Sequence, residues 1–292
     1  MTATPLAESL LAWSDRTRRD LPWRRTRDPW AILVSETMLQ QTQVARVIGP
    51  FLAFMDRWPD PTALARSRPG EVIGAWQGLG YNRRAVRLHA CAEAIVGRHG
   101  GRVPDDMGSL LDLPGIGSYT ARAVLAFAFE RPVGILDTNA ARVLARAFAG
   151  RRLAAREAQV LADSVVPAGR AWVWNSAMLD LGATICTPRR PACGSCPLAE
   201  PGLCRWHDGG RGDPDPASGT AGASGLQSPF GGSDRQGRGR LVAALIAGPV
   251  GRGAVAEAAG WPEDPVRAAR VAATLVDDGL AAIDGAGRLC LP

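Results

Sequence analysis

The sequence contains no lysine, since all 34 of its basic residues are arginine. Because a Schiff base forms on an amine, only the α-amino group could supply that kind of nucleophile here. The sequence also lacks an apolar run of about 18 residues, the length that a transmembrane helix needs. Its N-terminus lacks the basic-then-apolar order of a signal peptide. These absences predict a cytoplasmic protein without a membrane partner.

Alternating strand patterns are scarce in this chain of 292 residues. Apolar residues instead recur at helical spacing in AESLLAWS, ILVSETMLQQ and TARAVLAFAF, which predicts an all-α fold. The length suggests two or three domains. The net charge of +6 is compatible with a polyanionic partner but does not by itself identify one.

Composition divides the chain into three segments. Residues 1–207 carry the helical pattern, whereas residues 208–239 are rich in Gly, Pro and Ser and are expected to form a flexible linker. Residues 240–292 are expected to form a small module of helices followed by a hairpin around Gly285 or Gly287. That order predicts a winged-helix-like module, with a generic helical cap as the alternative.

The stretch LPGIGSYTARAV places Gly115 and Gly117 immediately before an apolar helical run. Glycines at a helix N-terminus let backbone N–H groups point outward, where they favour an anion. Helix, tight glycine hairpin and helix is the layout of a helix-hairpin-helix, which contacts DNA phosphates without reading sequence. The alternative is an ordinary corner between two helices.

Four of the six cysteines lie within one short segment, with gaps of six, two and seven residues. Clustering in a chain without a secretory signal indicates a metal site rather than disulfides. The spacing alone leaves zinc and a [4Fe–4S] cluster equally open. The candidate ligands are Cys186, Cys193, Cys196 and Cys204.

Two motifs carry a family resemblance. LPGIGSYTA followed by ILDTNAARVLAR resembles the helix-hairpin-helix base-excision DNA glycosylase superfamily. LPWRRTRDPWAILVSETMLQQTQV is similar to the signature of one branch, the MutY-type adenine DNA glycosylases. The resemblance covers roughly residues 8–207, and SETMLQQTQV is its most specific part.

The resemblance implies a two-domain helical DNA glycosylase with an iron–sulfur loop. One part is a six-helix domain at about 23–132, and the N-terminal helix joins residues 133–207 in a part that bears the cluster. It also implies that the four clustered cysteines hold a [4Fe–4S] cluster. The last gap is longer here than in that family, which makes Cys204 the least secure ligand.

The implied reaction is removal of adenine paired with 8-oxoguanine or guanine in double-stranded DNA. Breaking the C1′–N9 bond requires an acid at the base and a carboxylate at the sugar. By resemblance, Glu36 is the acid, Asp137 stabilises the sugar cation and Asn139 orients Asp137. The bland alternatives are a solvated helical glutamate and an aspartate that caps a helix.

Tyr119 occupies the position of the Schiff-base lysine in superfamily members that also cut the strand. With tyrosine there and no lysine elsewhere, the resemblance implies a monofunctional glycosylase. Tyr119 is expected to pack near the sugar and to hydrogen-bond Asp137.

Extruding a base leaves a gap that a side chain has to fill. Gln41 matches the residue that fills this gap in the family, and Leu39 and Arg24 match residues that line the adenine pocket. An ordinary helix surface is the alternative for Gln41.

Three features depart from the adenine branch. Asn82, after Tyr81, replaces a second tyrosine, and Ser176 stands where Gln or Glu is expected. The module of about 50 residues is too short for the NUDIX-like domain of the best-known members. A mismatch uracil or thymine DNA glycosylase therefore stays open, as does a non-enzymatic iron–sulfur DNA-binding protein. A monomer associated with the nucleoid is expected.

Overall fold

The computed structural model describes residues 5–220 and 230–292. Over these residues it contains fifteen α-helices and a two-stranded sheet. The first eight helices are α1 (Pro5–Thr17), α2 (Pro29–Leu39), α3 (Val44–Arg57), α4 (Pro61–Ala65), α5 (Pro69–Ala75), α6 (Arg83–His99), α7 (Met107–Leu111) and α8 (Ser118–Phe127). The others are α9 (Thr138–Val143), α10 (Ala155–Ser164), α11 (Ala171–Thr184), α12 (Arg205–Asp208), α13 (Asp234–Ala247), α14 (Val255–Ala259) and α15 (Pro265–Asp277). The strands are β1 (Ala282–Ile283) and β2 (Leu289–Cys290).

Short irregular helices complete the fold. Three 3₁₀ turns span Pro22–Arg24, Cys193–Ser195 and Arg252–Ala254. A π-helical turn, Leu144–Ala149, continues α9 directly. Such π turns are rare and occur frequently at functional sites.

The described residues form two compact units. The first unit comprises residues 5–32, 105–108 and 117–220, and the second unit comprises residues 33–104, 109–116 and 230–292. The C-terminal module thus belongs to the second unit.

The core of the first unit gathers the apolar faces of α1 and α11. Leu10 and Leu11 of α1 are buried in one cluster with Trp174 and Met178 of α11. Because these residues recur at helical spacing, each helix presents one continuous apolar face to this core.

Aromatic side chains form the core of the second unit. The ring of Phe54 lies 4.7 Å from that of Trp58 and 6.1 Å from that of Trp76, centroid to centroid. All three side chains are buried. The first pair is tilted and the second is edge-on, and aromatic contacts of this kind add to the hydrophobic stabilisation from burial.

The C-terminal module consists of three helices and a hairpin. β1 pairs antiparallel with β2, with Ala282 opposite Cys290, and Val250 forms a further antiparallel bridge to Leu289. Helix α13 begins at Asp234, six residues before the expected boundary at 240, so the C-terminal module of the structure comprises residues 230–292. The elements follow the order that the sequence predicts, and the assignment to the winged-helix class stays a prediction.

The first part of the expected flexible linker makes specific contacts with the first unit. Asp215 forms an ion pair with Arg146, and the hydroxyl of the buried Thr220 accepts a hydrogen bond of 3.2 Å from the Leu153 N–H. A Gly/Pro/Ser-rich composition does not reveal such contacts, because their partners lie about 70 residues earlier in the chain. Residues 221–229 of that linker lie outside the described residues.

Among the helices in the described part of the chain, none combines the length and the apolar character that crossing a membrane would require.

Candidate active site and metal centre

The predicted helix-hairpin-helix lies between α7 and α8. Gly115 has φ +78°, and a Cβ on it would lie 2.8 Å from the Cβ of Arg87, so both its conformation and its surroundings require glycine. Gly117 is the extended residue that precedes α8, and a Cβ there would meet open space. Helix α7 ends at Leu111, and α8 begins at Ser118. Phosphate binding by this turn stays a prediction.

Tyr119 lies in the first turn of α8 and is half-buried. The hairpin therefore places this side chain at a helix N-terminus, as the sequence motif indicates. Its predicted hydrogen bond with Asp137 stays a prediction.

Asp137 is the N-cap of α9. Its Oδ1 accepts hydrogen bonds from the N–H groups of Asn139 (2.8 Å) and Ala140 (2.7 Å), and its Oδ2 accepts one from the Asn139 side-chain amide (2.9 Å). Burial raises the pKa of this carboxyl, although these hydrogen bonds and the charge of Arg142 act in the opposite direction. Asp137 therefore caps α9, and this role is compatible with the predicted catalytic role because the capping hydrogen bonds fix the orientation of the carboxyl group.

Arg142 connects the candidate carboxylate to the cysteine-bearing segment. Its Nη2 donates to the Asn139 Oδ1 at 2.8 Å, which directs the Asn139 Nδ2 toward Asp137. The Nε of the same buried guanidinium donates to the Cys186 carbonyl at 2.5 Å. Arg142 thus links two predicted site residues, Asn139 and Cys186.

Gly182 was not identified from the sequence. It lies on α11, where a Cβ would approach the Cβ of Asn139 to 2.6 Å and its carbonyl oxygen to 2.8 Å. The Gly182 carbonyl also accepts a hydrogen bond from Arg142 at 2.6 Å. The glycine therefore permits the close packing of α11 against α9 that positions Asn139.

Glu36 lies on α2, where every residue from 30 to 38 is buried, and only 4% of its surface is exposed. Apart from Ser35 and Thr37, the residues that surround it along α2 are apolar. Leu39 is the last residue of α2 and is half-buried. Glu36 belongs to the second unit and Asp137 to the first.

Arg24 forms a bidentate ion pair with Asp180. Its Nη1 lies 2.6 Å from Oδ2 and its Nη2 lies 3.0 Å from Oδ1, and the Arg19 Nε lies 2.5 Å from the same carboxylate. Asp180 is buried, and the two arginines compensate its charge. The structure thus gives Arg24 a structural partner, and its role in the adenine pocket stays a prediction.

Gln41 and Tyr81 share an unusual backbone conformation. Their φ angles are +55° and +48°, in the left-handed region that non-glycine residues seldom adopt, and both side chains are exposed. Such conformations persist only where surrounding contacts enforce them, and they cluster at functional sites.

Arg84, another residue that sequence reasoning missed, enforces both turns. Its buried guanidinium donates to the carbonyls of two chain segments about 40 residues apart. The acceptors, at 2.6–3.2 Å, are the carbonyls of Thr37, Met38, Gln40, Leu79 and Gly80 and the hydroxyl of Thr42. Burial lowers the pKa of Arg84 to about 10, so it still carries its charge at neutral pH.

The two positions that depart from the adenine branch lie in different surroundings. Asn82 is half-buried and directly precedes α6 without a side-chain capping bond. Ser176 is fully buried on α11, and among the described residues its hydroxyl has no hydrogen-bond partner. Their substrate-reading roles stay predictions.

The four clustered cysteines line one small cavity in the first unit. Cys186 follows α11, Cys193 begins a 3₁₀ turn that Cys196 directly follows, and Cys204 is the N-cap of α12. All four are unpaired thiols, and the longer last gap does not remove Cys204 from the cavity. In the described ranges, no group of three or more His, Cys, Asp or Glu side chains has an arrangement that could hold a single metal ion.

The surroundings of these thiols fit an anionic cluster. Arg146, which is 1% exposed, donates to the Cys186 Sγ at 3.5 Å, and the Leu198 N–H donates to the Cys196 Sγ at 3.4 Å. Burial raises the pKa of Cys196 to about 11, so a bound metal has to displace its proton. A four-iron cluster offers one iron to each thiolate, so the sulfurs need not converge on one point.

Two family models match this chain. Residues 34–167 match the HhH-GPD superfamily of base excision DNA repair proteins. Residues 186–201 match the iron–sulfur binding domain of endonuclease III. The predicted superfamily and the predicted iron–sulfur cofactor are confirmed.

Relatives and solved structures extend these matches. The adenine DNA glycosylase of Mycolicibacterium smegmatis is 43% identical over 297 aligned positions, covering 100% of this chain and 97% of the relative. The human adenine DNA glycosylase is 42% identical, covering 69% of this chain and 39% of the relative. The structure of a thermostable thymine-DNA glycosylase matches with a TM-score of 0.63 and 31% identity, covering 69% of this chain and 94% of the other.

Proposed function

This chain belongs to the adenine DNA glycosylases of the HhH-GPD superfamily of base excision DNA repair proteins, and we propose that it removes adenine paired with 8-oxoguanine or guanine. The observation that carries the reaction class is Asp137, a carboxylate fixed by three hydrogen bonds at a helix N-terminus. The choice of adenine is supported by a relative of that name that aligns with the whole chain.

The proposed reaction is hydrolysis of the N-glycosidic bond. Glu36 donates a proton to the adenine ring, the C1′–N9 bond breaks, and Asp137 stabilises the positive charge on the sugar. Water then adds to C1′ and releases a proton, which leaves an abasic site and free adenine. Asn139 keeps Oδ2 of Asp137 oriented through the 2.9 Å hydrogen bond.

The chain has no lysine, so strand cleavage through a lysine Schiff base is not part of the proposal. Tyr119 stands at the start of α8 instead and is proposed to pack near the sugar. The product is therefore an intact strand that breaks only on treatment with alkali.

Cys186, Cys193, Cys196 and Cys204 are proposed to hold the [4Fe–4S] cluster. When bound, the cluster supplies a structural crosslink for the segment from 186 to 204. Arg146 offsets its negative charge, while Arg142 connects the same segment to Asn139.

The test is single-turnover cleavage of duplexes that carry one A·8-oxoG, A·G, U·G or T·G pair. Adenine release that requires alkali for strand breakage is the expected result. Asp137→Asn and Glu36→Gln should each lower the rate by at least about a hundredfold, because each removes a group that acts in bond cleavage. Full activity in either variant would overturn the corresponding assignment.

A second candidate is excision of thymine or uracil, which Asn82 and Ser176 keep open together with the similarity to a thymine-DNA glycosylase structure. That structure covers 69% of the chain, whereas the adenine-specific relative also spans the C-terminal module. Excision from U·G or T·G duplexes in preference to A·8-oxoG would establish this candidate instead.

DNA is the partner, and the mispair specificity, the monomeric state and action at the nucleoid are parts of the proposal. Sedimentation of the full chain with and without a mispaired duplex would test the one-to-one complex that a monomer predicts.

A further inference from the structure

A groove of about 840 Å³ lies within the second unit, bordered by the C-terminal module. One wall is formed by the turns that carry Gln41 and Tyr81. The opposite wall is formed by Phe230, Arg235 and Arg238 of the C-terminal module. The Gly70 N–H donates a hydrogen bond of 3.1 Å to the carbonyl of Pro292 in the module.

The lining of the groove is strongly basic. It contains six arginines and one carboxylate, that of Asp278. The six are Arg46, Arg83, Arg84, Arg87, Arg235 and Arg238. Asp278 pairs with Arg83 at 3.2 Å and with Arg238, so the positive charge of the groove exceeds what its own carboxylate neutralises.

Aromatic rings from both walls are accessible to solvent. Phe230 is 59% exposed and Tyr81 is 41% exposed, and the Arg235 Nη1 lies 3.4 Å from the Tyr81 hydroxyl. Exposed aromatic rings next to arginines are the combination that binds a nucleic acid strand, since the rings stack on bases and the guanidinium groups contact phosphates. An acidic peptide would use the arginines but would not require the rings.

We propose that this groove binds a DNA strand next to the extruded nucleotide, and that the C-terminal module is a DNA-binding element through Phe230 and Arg235. The inference rests on the proposed function, because a duplex engaged at Gln41 brings a strand to this groove. The proposed DNA contacts of the module are thus made by its groove residues Phe230 and Arg235 and not by the hairpin of β1 and β2.

The test is the affinity of the full chain for a fluorescent duplex with one A·8-oxoG pair, measured by anisotropy at several salt concentrations. All proteins carry Asp137→Asn so that the duplex stays intact. Arg235→Ala should weaken binding about tenfold and reduce the slope of log K against log salt by about 0.9, as one lost phosphate contact requires. Phe230→Ala should weaken binding about tenfold without changing the slope, as loss of one stacked base requires.

Arg252→Ala is the matched control, since Arg252 is an exposed arginine of the same module outside the groove. It should change the affinity less than twofold. Unchanged affinity in both groove variants, or an equal loss in Arg252→Ala, would overturn the proposal. Phe230 precedes α13, so Phe230→Ala also provides the test if melting curves show that Arg235→Ala is unfolded.

The two proposals fail in different ways. Absence of adenine release by the unmodified chain overturns the proposed function, whereas the affinities report on the groove independently of excision. Adenine release with no effect of either groove variant on affinity overturns the groove alone.

Discussion

Burial raises the pKa of Asp137, which caps α9 and accepts the Asn139 amide, so the neutral acid is favoured more than in an ordinary aspartate. The proposed reaction needs the carboxylate. As the pH falls, the carboxylate is therefore lost at a higher pH than for a solvent-exposed aspartate, and the single-turnover rate should decline there. Asn139→Ala removes a hydrogen bond that lowers this pKa, so the acid limb of the pH–rate profile should move to higher pH.

The control for this prediction is Ser164→Ala, which changes an exposed hydroxyl of the same unit that bonds the Leu161 carbonyl. Its pH profile should match that of the unmodified chain. An acid limb that stays in place in Asn139→Ala would show that the amide does not stabilise the ionised form of Asp137.

Arg84 gives a second prediction for a single residue. Arg84→Met keeps most of the side-chain volume but leaves buried carbonyl groups without a donor, which should cost about 3 kcal/mol of unfolding free energy. Because the turns of Gln41 and Tyr81 lose their shared anchor, affinity for a mispaired duplex should also fall. Denaturant titration and anisotropy measure the two effects.

The neighbouring residue provides the control. Arg83 is exposed and pairs with Asp278 at 3.2 Å, so Arg83→Met should cost less than about 1 kcal/mol. Equal destabilisation by the two variants would contradict the role assigned to the buried guanidinium of Arg84.

At the scale of elements, the sequence predicts features that depend on neighbouring residues, such as helix caps and glycine turns. The boundary between Asp137 and α9 follows from capping chemistry, and Gly115 follows from the conformation that its turn needs. Contacts between segments that are distant along the chain have no comparable signal in the sequence. Arg84 bonds carbonyl groups of two other turns, and Arg24 is paired with Asp180, 156 residues further on. Neither partner can be identified from spacing along one chain.

The packing of α11 against α9 gives a prediction at this scale. Gly182→Ala would bring a methyl group to 2.6 Å from the Asn139 Cβ, so one helix has to shift. We expect a loss of about 1–3 kcal/mol in stability and a lower maximal excision rate, because α9 carries Asp137 at its N-terminus. Thermal melting and single-turnover kinetics at saturating protein measure both effects.

Gly97→Ala is the matched control, since Gly97 is a helical glycine with open space around its Cβ position. Alanine should be neutral or slightly stabilising there. A Gly182→Ala protein as active and stable as this control would show that α9 and α11 adjust without disturbing Asp137.

At the scale of the whole molecule, arginine fills every position that lysine or arginine would occupy in other proteins. Within residues 5–220 and 230–292, the buried arginines are Arg84, Arg142 and Arg146, and each donates to several acceptors at once. A lysine has three donors on a single nitrogen, whereas a guanidinium group has five donors on three nitrogens, so a lysine would satisfy fewer of these acceptors. The buried arginines thus form internal crosslinks in both units.

The proposed cluster is a crosslink of another kind, within the segment from 186 to 204. Cys204 lines the same cavity as the three other cysteines, despite the longer gap that precedes it. Cys204→Ser should therefore lower the iron content below about four atoms per chain, weaken the visible absorbance of the cluster and lower the melting temperature. Cys290→Ser, in β2 and outside the cavity, should retain all three properties. If Cys204→Ser holds as much iron as Cys290→Ser, Cys204 is not a ligand, and the segment after Cys196 must close the site in another way.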